Sequence, residues 1–276
     1  MEERVDVFFG STGERATLDD VLSAIEGADV VVMGELHGHP LGLDWNAEVF
    51  RRSLERQPGV ALCLEFLTRE SQYLVDAYLE GLLDWTAFEE ACEGIPATRP
   101  SAHRPMLDAA RRAGAPVIAA NAPRIYTTAA RVHGYERLAG LSSEQARLFD
   151  VPGQPLGGAY RQAFRDLMIE HQGEDQSAEG ARFEERFEAA FRAQSLWDAT
   201  MAHSVSRTFE AGHRPVFLVV GSFHCNDEGG TVQRVEETSP QARVLVMTFV
   251  AEDSEVLLEE HRGIADVVAY VGPRDE

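Results

Sequence analysis

Two segments place a histidine three residues after a glycine at the end of an apolar run. Val30-Val31-Val32-Met33 leads into Gly34-Glu35-Leu36-His37, and Val216–Val220 leads into Gly221-Ser222-Phe223-His224. One Gly-x-x-His is a weak signal; two in matched contexts carry more, because imidazoles at the ends of two strands of one sheet can converge. Imidazole is the commonest protein ligand for Zn²⁺ and the usual acid–base group near neutral pH. Leu62-Cys63-Leu64-Glu65-Phe66 ends a third apolar run in a carboxylate, and Val117-Ile118-Ala119-Ala120-Asn121 ends a fourth in a carboxamide. A carboxylate beside histidines supplies an oxygen ligand or a general base, and an amide can donate to a developing oxyanion.

Each of these residues also has a plain structural reading. Glu35 can cap the helix that follows, Glu65 can pair with Arg69, and Asn121 can cap a helix before Ala122-Pro123. Further along, Gln194 and Asp198 are four apart and share a helix face, with Met201 one turn on. A carboxylate pointing at the sheet needs a partner, so Asp198 is expected to meet a histidine, an arginine or a metal, by direct ligation or as a hydrogen-bond acceptor. Tyr126, Tyr135 and Tyr160 are candidate ligands for ferric haem, since a phenolate can hold that iron. His103, His133, His171, His213 and His261 lie in polar surroundings and read as surface residues, and His203 lies opposite Gln194 around its helix.

The elements that must position these groups follow from periodicity. Short β-branched runs at Asp29–Met33, Val60–Phe66, Pro116–Ala120, Pro215–Val220, Arg243–Val250 and Asp266–Val271 alternate with stretches of helical period. That is the pattern of βαβ units: an α/β fold with a mostly parallel central sheet flanked by helices, whose strand ends form the ligand edge. Helices are expected from Thr17 to about 26, and at about 40–56, 69–81, 84–93, 101–113, 123–133, 142–149, 158–171 and 181–211. Thr17-Leu18-Asp19-Asp20 reads as a cap with an acidic first turn, and Gly27 as the stop. The longest helix carries Phe183, Phe187, Ala190, Phe191, Gln194, Trp197, Asp198 and Met201 at spacings of three and four, an apolar stripe with polar residues set into it. Residues 1–276 read as a single domain with a helical insertion at about 67–210, in which Val151–Gly158 and Gly173–Gly180 are loops.

Composition narrows the partners. Forty-six acidic against twenty-five basic residues give a formal charge of −21, a field that repels phosphate backbones and anionic lipid. Neither nucleic acid nor a membrane is an expected partner, and no apolar run approaches the roughly 20 residues that span a bilayer. Met1–Asp6 shows neither a basic start nor a long apolar stretch, so a cytoplasmic location is expected. Cys63, Cys92 and Cys225 are odd in number and far apart, as reduced thiols are. The fingerprints of dinucleotide, nucleotide-triphosphate, serine-hydrolase and zinc-ribbon sites are missing from the sequence.

Taken in order, Gly34-Glu35-Leu36-His37, Leu64-Glu65-Phe66, Pro116–Arg124, Ala193–Ala202 and Gly221-Ser222-Phe223-His224 resemble the motif set of the ChaN-like haem-binding uptake family, over about residues 29–235. That family is grouped with the Tiki, TraB/PrgY and erythromycin-esterase-like proteins. The resemblance implies an α/β core with a helical insertion and a polar site at the strand ends. It also implies that Glu35, His37, Glu65 and His224 form the metal-binding or catalytic set, supported by Asn121, Gln194 and Asp198. The leading expectation is a metal-dependent hydrolase of amide or ester bonds in small-molecule or peptide substrates. Zn²⁺, Mn²⁺, Fe²⁺ or Co²⁺ would activate water there, and a metal-free variant would rely on a histidine with glutamate support. The alternative expectation is a haem-binding protein without catalysis, compatible with a homodimer.

Overall fold

Among the described residues eight strands build one sheet: β1 (Asp6–Phe9), β2 (Arg15–Ala16), β3 (Val30–Glu35), β4 (Ala61–Thr68), β5 (Val117–Asn121), β6 (Val216–Gly221), β7 (Val244–Val250) and β8 (Val267–Tyr270). This is a computed structural model, and it describes residues 5–170 and 180–273. His171 and most of the expected loop at 173–180 lie outside the described residues. The spatial order is β2-β1-β8-β7-β3-β6-β4-β5. Neighbours from β8 through β5 run parallel, and β1 is antiparallel to both β8 and β2.

The six strands read from the sequence are present, each displaced by a residue or two. β1 and β2 were not foreseen. They carry too few apolar residues for a run to stand out, and they gain order by closing one edge of the sheet.

The helices are α1 (Leu18–Glu26), α2 (Pro40–Arg56), α3 (Gln72–Leu79), α4 (Trp85–Glu93), α5 (Arg104–Ala113), α6 (Arg124–His133), α7 (Glu136–Ala139), α8 (Ser143–Ala146), α9 (Gly158–Glu170), α10 (Ala181–Glu210) and α11 (Gly230–Thr238). Thr17 caps α1 in a reciprocal box with Asp20, as its sequence predicts. α7 and α11 were not anticipated. α11 begins Gly229-Gly230-Thr231, a start that reads as loop until Val232 and Val235 pack against the sheet.

Alternation along the strands sorts the core into two layers. Val31, Met33, Leu62, Leu64, Phe217 and Val219 face α1, α2, α3 and α5. Val30, Val32, Cys63, Leu218 and Val220 face α10 and α11, meeting Met201, Val205, Phe209, Val232 and Val235. Strands covered on both faces must be apolar throughout, which is why β3 and β6 read as unbroken hydrophobic runs. β5 lies inside the 67–210 span and forms the far edge of the sheet. There the Gln72 carboxamide donates to Val117 O (2.9 Å) and accepts from Ala119 N (2.7 Å), standing in for the peptide group of a further strand.

Candidate active site

β3, β6 and β4 are adjacent, so their C-terminal ends open side by side. Register pairs Glu35 of β3 directly with Gly221 of β6, which brings the two Gly-x-x-His segments together. Both glycines keep φ in the ordinary region, so neither is needed for a turn. Their role is close packing. A Cβ on Gly34 would fall inside contact distance of Cys225 Sγ and lie 3.1 Å from Ser222 Cα. A Cβ on Gly221 would sit 2.8 and 2.9 Å from Cε1 and Nε2 of His37 and 3.7 Å from Glu65 Oε2.

Glu65 lies where the β4–β5 register shifts between Leu64 and Thr68, a bulge of the kind that re-aims side chains beside active sites. Its Oε2 accepts from the Gly221 amide (2.7 Å), and its Oε1 stands 3.7 Å from His224 Nε2. The suggested Glu65–Arg69 pair does not form. Arg69 turns instead to Asp150 at 2.6 Å.

Two carboxylates hold the imidazoles. Glu35, 3% exposed, accepts from His37 Nδ1 (3.2 Å) on one oxygen and from His103 Nε2 (2.7 Å) on the other. Burial works against the Glu35 anion, but the His103 and His37 hydrogen bonds outweigh it and hold the carboxyl below its ordinary range. Asp198, fully buried, accepts from His224 Nδ1 (2.6 Å) and Thr231 Oγ1 (2.7 Å) on one oxygen and from Tyr160 OH (2.8 Å) on the other. The Gln194 carboxamide donates to Tyr160 OH (2.9 Å) and lies against the His224 ring. Burial disfavours the charged His224 ring, yet Asp198 and Glu65 overcome that and raise it to about 9. The hydrogen bond to Glu35 likewise raises His37, against partial burial and the repulsion of His224.

His103 is one residue of the site that sequence reasoning missed. Read as a surface histidine, it is 2% exposed, stacked on Phe66 with ring centroids 4.2 Å apart. Phe66 also meets His37 edge-on at 5.4 Å. No local pattern marks His103. The signal was Glu35 itself, since a buried carboxylate needs donors by the same argument that was applied to Asp198. Thr231 and Gly230 were missed with their helix, and a Cβ on Gly230 would collide with Asp198 and the Tyr160 ring.

The structure therefore brings together Glu35, His37, Glu65, His224, Gln194, Asp198 and Tyr160. Asn121 ends the edge strand, and its Oδ1 accepts from the next amide, Ala122 N. Tyr126 packs on Phe149 with centroids 4.6 Å apart, and Tyr135 donates to Arg192 O (2.8 Å). His203 faces Asp150 at 3.7 Å, outside the cluster. All three cysteines are free and buried.

The expected divalent-ion site does not fit these residues. Among the described residues no group of three or more His, Cys, Asp or Glu is arranged to hold an ion. Both oxygens of Glu35 and of Asp198 are engaged by protein donors, and Glu65 Oε2 is held by a backbone amide.

Fold and site together define an α/β protein with carboxylate-held imidazoles at the ends of its central parallel strands. The chain belongs to the family described as "Haem-binding uptake, Tiki superfamily, ChaN", whose pattern it matches over residues 21–235. No functionally curated protein matches the sequence. Among solved structures it is similar to ChaN of Campylobacter jejuni, described as binding haem cofacially, at 13% identity and a TM-score of 0.74, covering 98% of this chain and 97% of that one. It also matches the type III effector HopBA1 (13% identity, 99% and 98% coverage) and an erythromycin esterase EreC variant in its open conformation (14%, 98% and 84%), each with a TM-score of 0.49. No described helix is long and apolar enough to cross a membrane.

Proposed function

We propose that the chain is a hydrolase of amide or ester bonds, acting in the cytoplasm on a small-molecule or peptide substrate, with water activated by histidine rather than by a bound ion. One observation carries this reading: two imidazoles, each held at Nδ1 by a buried carboxylate, stand at neighbouring strand ends with Glu65 beside His224. His37, its side chain 62% exposed, is the ring that water and substrate can reach. Raised by Glu35, it is a stronger base than a free imidazole and takes the proton of the attacking water. His224, charged below about pH 9, supports the carbonyl oxygen and returns a proton to the leaving group. Asp198, Tyr160, Thr231 and Gln194 hold that second ring in place.

The test is turnover of p-nitrophenyl acetate and of short peptides by wild type, H37Q and H224Q. The expected loss is about 10²- to 10⁴-fold for each variant. Unchanged turnover in both would overturn the proposal.

A second reading rests on the family, which is described by haem binding. In this chain haem would be cargo, and His37, exposed and edge-on to Phe66, is the ring its iron would reach. Of the three tyrosines named from the sequence, Tyr160 and Tyr135 are spent on internal hydrogen bonds and Tyr126 is buried. Titration with ferric haem tests this reading: a Soret shift in wild type that disappears in H37A supports it, and no shift at micromolar protein removes it.

A further inference from the structure

The wall of α10 that follows Asp198 borders a cavity of about 540 Å³, between the exposed side of β5 and the segment after α8. It shares no residue with the histidine cluster. Its lining holds Arg69, Arg147, Arg207 and His213 and, among the described residues, no carboxylate. In a chain where acids outnumber bases 46 to 25, a basic lining of that kind stands out.

One carboxylate stands behind the wall. Asp150 lies 2.6 Å from Arg69, 3.5 Å from Arg207 and 3.7 Å from His203. Arg69 is fixed: its guanidinium also reaches Ser204 Oγ (3.0 Å) and Thr200 O (2.7 Å), and its side chain is 8% exposed. Arg207 is 52% exposed, and Arg147 forms no ion pair among the described residues. Arg69 and Arg207 thus share a single carboxylate, Arg147 has none among the described residues, and Arg147 and Arg207 are both open to solvent. Burial pulls Arg69 down to about 10 in spite of Asp150, with Arg207 adding repulsion. The lining also holds the apolar side chains of Ile118 and Leu148. The Gln72 amide that also borders the space is already taken up by the β5 backbone.

We propose that this cavity binds a small organic dianion, its charged head between Arg147 and Arg207 and its apolar body on Ile118 and Leu148. The volume falls within the range of small-molecule sites, and guanidinium forks match the oxygens of carboxylates and phosphates. The head group is an oxyanion in either case, and the probes separate the two sources.

The experiment is calorimetric titration of the full chain with phenyl phosphate and with phthalate, each a dianion on one ring, and with inorganic phosphate as the bare head. At least one aromatic probe is expected to saturate, more tightly than phosphate and less tightly at higher salt. R147Q and R207Q are each expected to weaken it about tenfold, as the loss of one charge-assisted hydrogen bond does. Neither substitution touches the core, and a thermal melt confirms that the variants are folded. Neither ring probe saturating by about 10 mM, a range of very weak affinity, would overturn the proposal. So would undiminished binding in the R147Q/R207Q double variant. Binding lost in H37Q but kept in that double variant would place the anion on the histidine cluster and equally sink the idea.

Discussion

His224 and His37 occupy equivalent places, three residues after a glycine at the end of a parallel strand, yet their surroundings differ in kind. His224 is sealed, 8% exposed, with Asp198 beneath it and Glu65, Gln194, Tyr160 and Thr231 around that pair. His37 stands at the rim with one carboxylate behind it. One local sequence pattern thus yields a fixed, charged ring and an accessible one, and the difference lies in burial together with the carboxylates, Asp198 and Glu65, that keep the buried ring charged. Acid and base roles separate when environments push like groups apart.

The comparison breaks most visibly at Asp198. D198A leaves a buried imidazolium, a tyrosine and a threonine without their acceptor, and stability should fall by about 3–5 kcal/mol, read as a lower urea midpoint. D198N keeps the shape and removes the charge. Turnover of an ester substrate should then drop about 10²-fold or more, with the alkaline limb of the pH profile moving below its wild-type position near 9. If D198N matches wild type in both rate and profile, the sealed ring has no catalytic charge to lose.

The paired glycines sharpen the comparison, because they should fail in opposite ways. G34A pushes a methyl against the buried Cys225 Sγ and the Ser222 backbone, neither of which can move aside as a flexible side chain would, and should cost about 1–3 kcal/mol of stability. G221A meets only the tip of the half-exposed His37 ring, which can swing aside. Its melting temperature should change little while kcat falls on the order of tenfold to 10²-fold, since a displacement of about 1 Å is enough for that. Equal effects of the two substitutions on stability and rate would erase the distinction between sealed and rim positions.

The same contrast fixes the pH dependence. His37 must be neutral to accept a proton, and its pKa is raised, so activity should fall on the acid side from a point above pH 6.5. His224 must be charged, so activity should fall again as pH passes about 9. Stability follows the second group. With its folded pKa above the ordinary histidine value, the stabilisation from His224 is complete below about pH 6.5 and is lost as pH rises toward 9. The urea midpoint should decline across that window in wild type and stay flatter in H224Q.

Much of this arrangement could be read in advance, and the reasons for the rest are physical. β3 and β6 announced themselves because strands buried on both faces must be apolar throughout, and the polar residues interrupting those runs marked the site. Gln194 and Asp198 were visible because polar residues in an apolar helical stripe demand partners. His103 was invisible because its partner is 68 positions away and its own neighbours, Ser101, Ala102 and Arg104, are those of a surface turn. The metal expectation failed at the level of individual atoms. Residue types suited to an ion were present, but both oxygens of Glu35 and of Asp198 and one of Glu65 are committed to histidines, hydroxyls and an amide, which spacing in sequence does not show.

The smallest effect concerns the rim cluster's own support. Glu35 shares its oxygens between His37, which the proposed chemistry uses, and His103, which lies behind Phe66. H103F keeps an aromatic ring on Phe66 and deletes one donor to a buried carboxylate, so stability should fall by about 1–3 kcal/mol. With less pairing for its anion, Glu35 should protonate more readily, and its hold on His37 should loosen as pH falls. Turnover at neutral pH should change only a few-fold, with the loss growing toward acid pH, whereas H103Q, which retains a donor, should recover part of it. A neutral-pH loss in H103F as large as that of H37Q would mean that His103 takes part in the reaction itself, and the division between a working ring and its support would have to be redrawn.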